Sequence, residues 1–158
     1  MIGRKTAALI AASIEAGAIL ATADEEVIAR YRAFGWALGL AFQLNDDLLG
    51  IWGAERTTGK APSDVVHKKK TLPVLYALEH GSPEDRARLS ELYAMADPGD
   101  ADVAEIVAIL ERCGARDYTR DQARRHRDEA LANLDAAGVV RPGARERLEQ
   151  IIVSVITA

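Results

Sequence analysis

Two neighbouring carboxylates, Asp46 and Asp47, lie in a run of apolar residues, FQLNDDLLGIWG (42–53). An ionised carboxylate that is buried without a partner is strongly destabilising. A buried Arg or Lys, backbone N–H donors or a hard divalent cation such as Mg²⁺ could each offset that cost. Adjacent acids are also common on salt-bridged helix surfaces, and the apolar neighbours make the two interpretations comparable. The pair therefore indicates either a solvated surface or a cation site.

A basic stretch, TTGKAPSDVVHKKKT (57–71), follows the acidic pair. It is not a phosphate-binding P-loop, because Ala61 stands where Ser or Thr is required. Alone, Lys60 and the lysine triplet at 68–70 would be interpreted as a solvated patch. Beside the acids, and with Asp64 among them, they predict that carboxylates hold metal ions, the ions hold a polyphosphate, and the lysines bind the remaining phosphate oxygens.

The elements that position these residues are expected to be helices. Ala, Leu, Glu and Arg are abundant, and apolar residues recur at intervals of three and four, which predicts an all-α protein. The predicted helices cover about 2–21, 25–52, 72–80, 83–95, 102–113, 116–137 and 142–156. We expect Thr22 or Asp24 to cap the second helix and Thr71 to cap the third. Two apolar stripes are assigned to the core: Val103, Ile106, Val107 and Leu110, and Leu148, Ile151, Ile152 and Val155.

The overall composition excludes several classes of protein. The chain has 158 residues, a length that fits one domain over residues 1–158 with a sizeable core. A net charge of −4 with interleaved acids and bases gives no general attraction to nucleic acid or anionic membranes. A single cysteine, Cys113, excludes an internal disulfide and favours a reducing, cytoplasmic location. No apolar run is long enough to predict a membrane span, and Glu15 interrupts the nearest candidate for a signal peptide.

The combined pattern FQLNDDLLG…TGKAPSDVVHKKKTLP resembles the second aspartate-rich region of the trans-polyprenyl diphosphate synthases, the head-to-tail prenyltransferases. The upstream segment RKTAALIAASIEAGAIL (4–20) is similar to the Lys-Thr helix of that family, with Lys5 and Thr6 at the matching places. The resemblance carries motifs from residue 1 to about residue 80 and continues only as generic helices.

This resemblance implies an all-α, isoprenoid synthase-type helical bundle and an Mg²⁺-dependent prenyltransferase. It implies ionisation of an allylic prenyl diphosphate, whose cation is then attacked by the double bond of isopentenyl diphosphate. It also implies the following roles: Asp46, Asp47 and Asp64 at the metal, Lys5, Lys60 and Lys69 at the diphosphate, and Thr6 and Gln43 lining the site.

Two departures from the family pattern shape the remaining expectations. The family motif is usually DDxxD, and here Gly50 replaces the last Asp. The 158 residues also contain no well-matched second DDxxD, so the chain resembles the C-terminal half of a synthase. We therefore expect a homo-oligomer, or pairing with a chain that supplies the N-terminal half. The alternatives are a non-catalytic interaction subunit of a full-length synthase and a class I terpene cyclase-like protein.

Overall fold

The computed structural model describes residues 3–53, 63–138 and 143–155, and these residues form helices without a strand. The helices are α1 (Gly3–Ala21), α2 (Glu25–Leu48), α3 (Ser63–Val66), α4 (Leu72–His80), α5 (Pro83–Ala94), α6 (Asp100–Arg112), α7 (Ala115–Ala137) and α8 (Ala144–Val155). A π-helical turn, Leu49–Gly53, extends α2 directly. The predicted all-α class is confirmed. None of the described helices combines the length and hydropathy that a membrane span requires.

The chain divides into two compact units, which are described separately. Unit one comprises residues 1–45 and 122–158, and unit two comprises residues 46–121. The core of unit one contains Phe34, Leu38, Leu134 and Ile152. The expectation of one domain over residues 1–158 stays a prediction.

Small residues allow α1 and α2 to approach closely within unit one. A Cβ atom added at Gly39 would lie 2.5 Å from the Ala7 Cα atom, and one added at Gly35 would lie 2.8 Å from the Ala11 Cα atom. Contacts this short to backbone atoms require glycine at both positions, because any side chain would force the helices apart. The two glycines are one helical turn apart, so they present one continuous flat strip to α1.

The core of unit two is built largely from α4, α5 and α6. The α6 stripe is confirmed, since Val103, Ile106 and Leu110 are buried and Val107 packs against them. The α8 stripe is partly wrong: Ile152 is buried, but Ile151 is 48% exposed.

Most helix boundaries agree with the sequence predictions to within two residues, and two local features do not. Helix α2 ends at Leu48 and not at Trp52, because the chain widens into the π-helical turn. The short helix α3 was not predicted. At the start of α2, Asp24 accepts hydrogen bonds from the backbone N–H groups of Glu26 and Val27, which makes Asp24 the capping residue.

Candidate functional site

Asp47 caps a helix that begins 25 residues further along the chain. Its side chain is 3% exposed, and Oδ2 accepts a hydrogen bond of 3.1 Å from the backbone N–H of Leu72, the first residue of α4. A helix N-terminus favours a negative charge, so this contact offsets part of the cost of burying the carboxylate. Thr71 occupies the N-cap position, but its side chain makes no capping hydrogen bond. The predicted position of Thr71 is therefore correct, but the prediction that its side chain caps the helix is wrong.

Asp64 is also buried and is paired with a lysine. It lies on α3 with 4% exposure, and its Oδ1 accepts a hydrogen bond of 2.5 Å from the Lys69 ammonium. Lys68 has a φ of 50°, and the backbone N–H of Lys69 donates to the carbonyl of Asp64. This left-handed turn folds the chain back, which brings the two side chains together. Lys69 itself is 57% exposed, so its remaining donors face solvent.

Asp46 differs from both buried acids. Its side chain is exposed, and within the described part of the chain it makes no hydrogen bond or ion pair with another residue. It nevertheless acts on the same lysine. The pKa of Lys69 is raised by its hydrogen bond to Asp64, against an opposing effect of burial, and further by the charges of Asp64, Asp46 and Asp47. Lys69 thus contacts one carboxylate, that of Asp64, and the charges of two others also favour its protonated form.

These contacts show how the chain offsets the charge of each of the three aspartates. Asp47 uses a backbone donor and Asp64 uses a lysine, two of the compensations that the sequence analysis considered. Asp46 needs neither, because it is solvated. Its oxygens are therefore available to a cation, which is the third compensation.

Tyr93 is a residue of this region that the sequence analysis missed. Its hydroxyl is buried and has no hydrogen-bond partner among the described residues. Burial, and then the negative charge of Asp64, raise the pKa of Tyr93 to about 12. The hydroxyl therefore stays protonated and can act as a donor near Asp64. No motif could have indicated it, since Tyr93 lies on α5 in a stretch without family signatures.

The candidate residues of unit one form a second contact. The Thr6 hydroxyl on α1 donates a hydrogen bond of 3.2 Å to Gln43 Oε1 on α2. Gln43 lies one turn beyond Gly39, so the close approach of the two helices makes this contact possible. Lys5 is exposed on α1, and Lys60 lies outside the described residues.

Within the described ranges, no three His, Cys, Asp or Glu side chains are close enough to form a metal centre by themselves. Mg²⁺ does not require such a set, because it commonly keeps several waters and binds one or two carboxylates together with substrate phosphates. The Asp46 side chain is exposed, so its carboxylate is of the type that such a site uses. The metal roles of Asp46, Asp47 and Asp64 stay predictions.

Comparison with known proteins gives a consistent result. The family model for polyprenyl synthetase matches residues 1–110. The chain is 41% identical over 145 residues to a (2E,6E)-farnesyl diphosphate synthase of Mycobacterium bovis. It is 37% identical over 135 residues to heptaprenyl diphosphate synthase component 2 of Geobacillus stearothermophilus. The crystal structure of a polyprenyl synthetase from Streptomyces coelicolor A3(2) superposes with a TM-score of 0.87 at 38% identity.

These matches cover nearly all of the chain but less than half of each relative. The match to the M. bovis protein covers 89% of the chain and 40% of that protein. The corresponding shares are 85% and 41% for the G. stearothermophilus protein, and 99% and 48% for the S. coelicolor structure. The prediction of an isoprenoid synthase-type helical fold is confirmed by the structural match. Because the family model matches residues 1–110 and the fold is shared with a solved polyprenyl synthetase, the chain belongs to the polyprenyl synthetase family.

Proposed function

We propose that this chain provides the Asp- and Lys-rich half of an Mg²⁺-dependent polyprenyl diphosphate synthase. The reaction is head-to-tail chain elongation: an allylic prenyl diphosphate ionises with loss of its diphosphate, isopentenyl diphosphate adds to the resulting cation, and the adduct loses a proton to form a new double bond. The observation that supports this proposal best is the Lys69 ammonium, which donates a hydrogen bond of 2.5 Å to the buried Asp64 carboxylate and keeps an exposed side chain.

The charges suit a diphosphate that is bound through a metal. Mg²⁺, when bound, neutralises charge on the diphosphate and makes it a better leaving group. Asp46 and Asp64 are the residues that would hold it. Lys69 donates one hydrogen bond to Asp64 and keeps further donors for phosphate oxygens. Its raised pKa keeps it cationic at neutral pH, so it stabilises the negative charge that develops as the carbon–oxygen bond breaks.

The buried acids hold this arrangement in place. Asp47 fixes the start of α4 against the end of α2, and Asp64 fixes the position of Lys69. No protein nucleophile is needed, because the electron pair of the isopentenyl double bond forms the new carbon–carbon bond. We propose that Thr6 and Gln43, which contact each other in unit one, line the substrate site, and that Lys5 and Lys60 bind diphosphate oxygens.

Replacement of Asp46 by Asn tests the proposal. The change keeps the size of the side chain and removes its charge at an exposed position, so the fold is expected to persist. Affinity for pyrophosphate in the presence of Mg²⁺ is expected to fall about 10- to 100-fold, as estimated for the loss of one charged ligand. Isothermal titration calorimetry of the 158-residue chain measures the effect.

Asp97→Asn provides the matched control, because Asp97 is another exposed aspartate, located between α5 and α6. The Asp97→Asn variant is expected to bind pyrophosphate, in the presence of Mg²⁺, with the same affinity as the unaltered chain. If the folded, unaltered chain binds no pyrophosphate with Mg²⁺, or if Asp46→Asn binds as tightly as Asp97→Asn, the proposed function is wrong.

A surface of α1 supports a second proposal, which concerns partners. Leu9, Ile19 and Leu20 are 70%, 57% and 90% exposed. Leu9 and Leu20 are about three helical turns apart and lie on the same side of the helix, and Ile19 lies on the adjacent side. Exposed apolar side chains at helical spacing indicate a contact surface. Because the chain spans 40% of the M. bovis relative, we propose that this surface binds the part of the family fold that these residues do not contain. The match to a synthase subunit called component 2 favours a two-chain arrangement, in which this chain is either catalytic or an interaction subunit.

In a sample that holds only the 158 residues, nothing else covers this apolar surface, and we expect the chains to associate through it in solution. Leu20→Glu is expected to shift the chain toward the monomer in sedimentation velocity experiments, because a charge replaces the most exposed of these apolar side chains. Met95→Glu, at an exposed apolar residue of unit two, is expected to leave the association unchanged. A monomeric unaltered chain, or equal effects of the two variants, would argue against the α1 surface.

A further inference from the structure

The Asp64 carboxylate lies directly against the backbone of Gly50. A Cβ atom added at Gly50 would be 2.3 Å from Asp64 Oδ2 and 2.5 Å from Asp64 Cγ. These separations are far inside van der Waals contact. The carboxylate thus occupies the volume in which a side chain at position 50 would begin.

The backbone at this point is shaped for the contact. Gly50 belongs to the π-helical turn Leu49–Gly53, which is wider than an α-helix and is a feature that occurs frequently at functional sites. Lys69 holds the other carboxylate oxygen of Asp64. Asp64 is therefore fixed from two sides, by the Gly50 backbone and by the Lys69 ammonium.

Position 50 is also where the chain departs from the family motif DDxxD, whose last residue is acidic. The structure shows a carboxylate in contact with that position, but it is contributed by α3 and not by the helix itself. An acidic side chain introduced at position 50 would compete with Asp64 for the same volume. The motif residue cannot simply be restored in this chain.

We propose that Gly50 is a positioning residue, which leaves room for the Asp64 carboxylate to take the place of the acidic group that the motif would carry at position 50. The proposal rests on the proposed function, since it assigns Asp64 to the same cation and diphosphate site. It goes further in predicting that the missing motif acid is compensated from α3. Gly50 is then needed for binding although it has no side chain.

Gly50→Ala is expected to weaken Mg²⁺-dependent pyrophosphate binding about 10- to 100-fold, the range found when groups that orient a metal ligand are altered. The added methyl group displaces Asp64 from its position between Gly50 and Lys69. Gly17→Ala is the matched control, because a Cβ atom at Gly17 meets no atom within 4 Å. The Gly17→Ala variant is expected to bind pyrophosphate with unchanged affinity in the same calorimetric measurement.

A double-mutant cycle tests the contact without any ligand. Gly50→Ala is expected to lower Tm by about 3 °C or more in the unaltered background, because Asp64 must move. In an Asp64→Ala background the carboxylate is absent, so the same change is expected to leave Tm unchanged or to raise it. Equal effects of Gly50→Ala in the two backgrounds would overturn the proposed contact.

Moving the carboxylate from position 64 to position 50 tests the functional part of the proposal. Asp64→Ala is expected to bind pyrophosphate weakly, and Gly50→Asp combined with Asp64→Ala is expected to bind more tightly than Asp64→Ala alone. A purely structural role of Gly50 would not produce this rescue. If the folded double variant shows no rescue, or if Gly50→Ala binds like the unaltered chain, the proposal is wrong. If the unaltered chain itself does not bind, the proposed function fails, and the stability cycle still decides whether Gly50 positions Asp64.

Discussion

Gly39→Ala is expected to destabilise the chain by about 3 kcal/mol, at the upper end for overpacking a close contact. The new Cβ atom would lie 2.5 Å from the Cα atom of Ala7, and a backbone atom cannot rotate away as a flexible side chain can. Helices α1 and α2 must therefore separate. For a chain of 158 residues, this corresponds to a decrease in Tm of about 6 to 12 °C, measurable by circular dichroism or calorimetry.

The same substitution at Gly17 is the control, since its Cβ atom would enter open space on the same helix pair. Gly17→Ala is expected to keep or slightly raise Tm, because alanine is the better helix former. Ala7→Gly is expected to rescue only a small part of the loss in Gly39→Ala, since the nearest conflicting atom is the Ala7 Cα at 2.5 Å and the Ala7 methyl group is further away, at 3.0 Å. Full rescue by Ala7→Gly, or a loss of stability at Gly17 as large as at Gly39, would contradict the proposed cause.

Lys69→Met is expected to weaken both ligand binding and the stability of the fold. Methionine keeps an unbranched side chain of similar length but removes the ammonium that donates to Asp64. Mg²⁺-dependent pyrophosphate binding is expected to fall about 10- to 100-fold through loss of a charge-assisted hydrogen bond. Stability is also expected to fall, by about 1 to 2 kcal/mol after allowance for the exposure of Lys69, because Asp64 is left buried without its partner.

Two further variants separate these effects. Lys70→Met changes the neighbouring exposed lysine, and it is expected to leave binding within about twofold and Tm unchanged. Asp64→Asn combined with Lys69→Met is expected to recover part of the lost stability, because the unpaired buried charge is removed. Equal losses of binding at Lys69 and Lys70 would show that the lysines act only as a diffuse positive patch.

Much of the site could be predicted because its parts are close in sequence or follow helical periodicity. Asp46 and Lys69 belong to short motifs with fixed spacing, and the negative charge of Asp46 contributes to the raised pKa of Lys69. The helix boundaries also follow from local signals, such as Pro73 in the first turn of α4 and Ser82, which caps α5.

Other parts could not be predicted, because they depend on contacts between distant segments. Thr71 carries the local signal of an N-cap, but the N–H of Leu72 is bound by Asp47. Tyr93 approaches Asp64 only because α5 packs in unit two, and nothing in its own neighbourhood indicates that role.

The sequence by itself determined the helical class, the approximate helix limits and the residue types that a metal-bound diphosphate requires. These properties arise from local propensity, periodicity and side-chain chemistry, all of which act within a few turns of one helix. Only the tertiary structure decided how each acid is compensated: Asp47 by the start of α4, and Asp64 by Lys69 and the bare backbone of Gly50. The physical reason is that the cost of burying a charge is set by the atoms that surround it in space, and most of those atoms come from other segments of the chain.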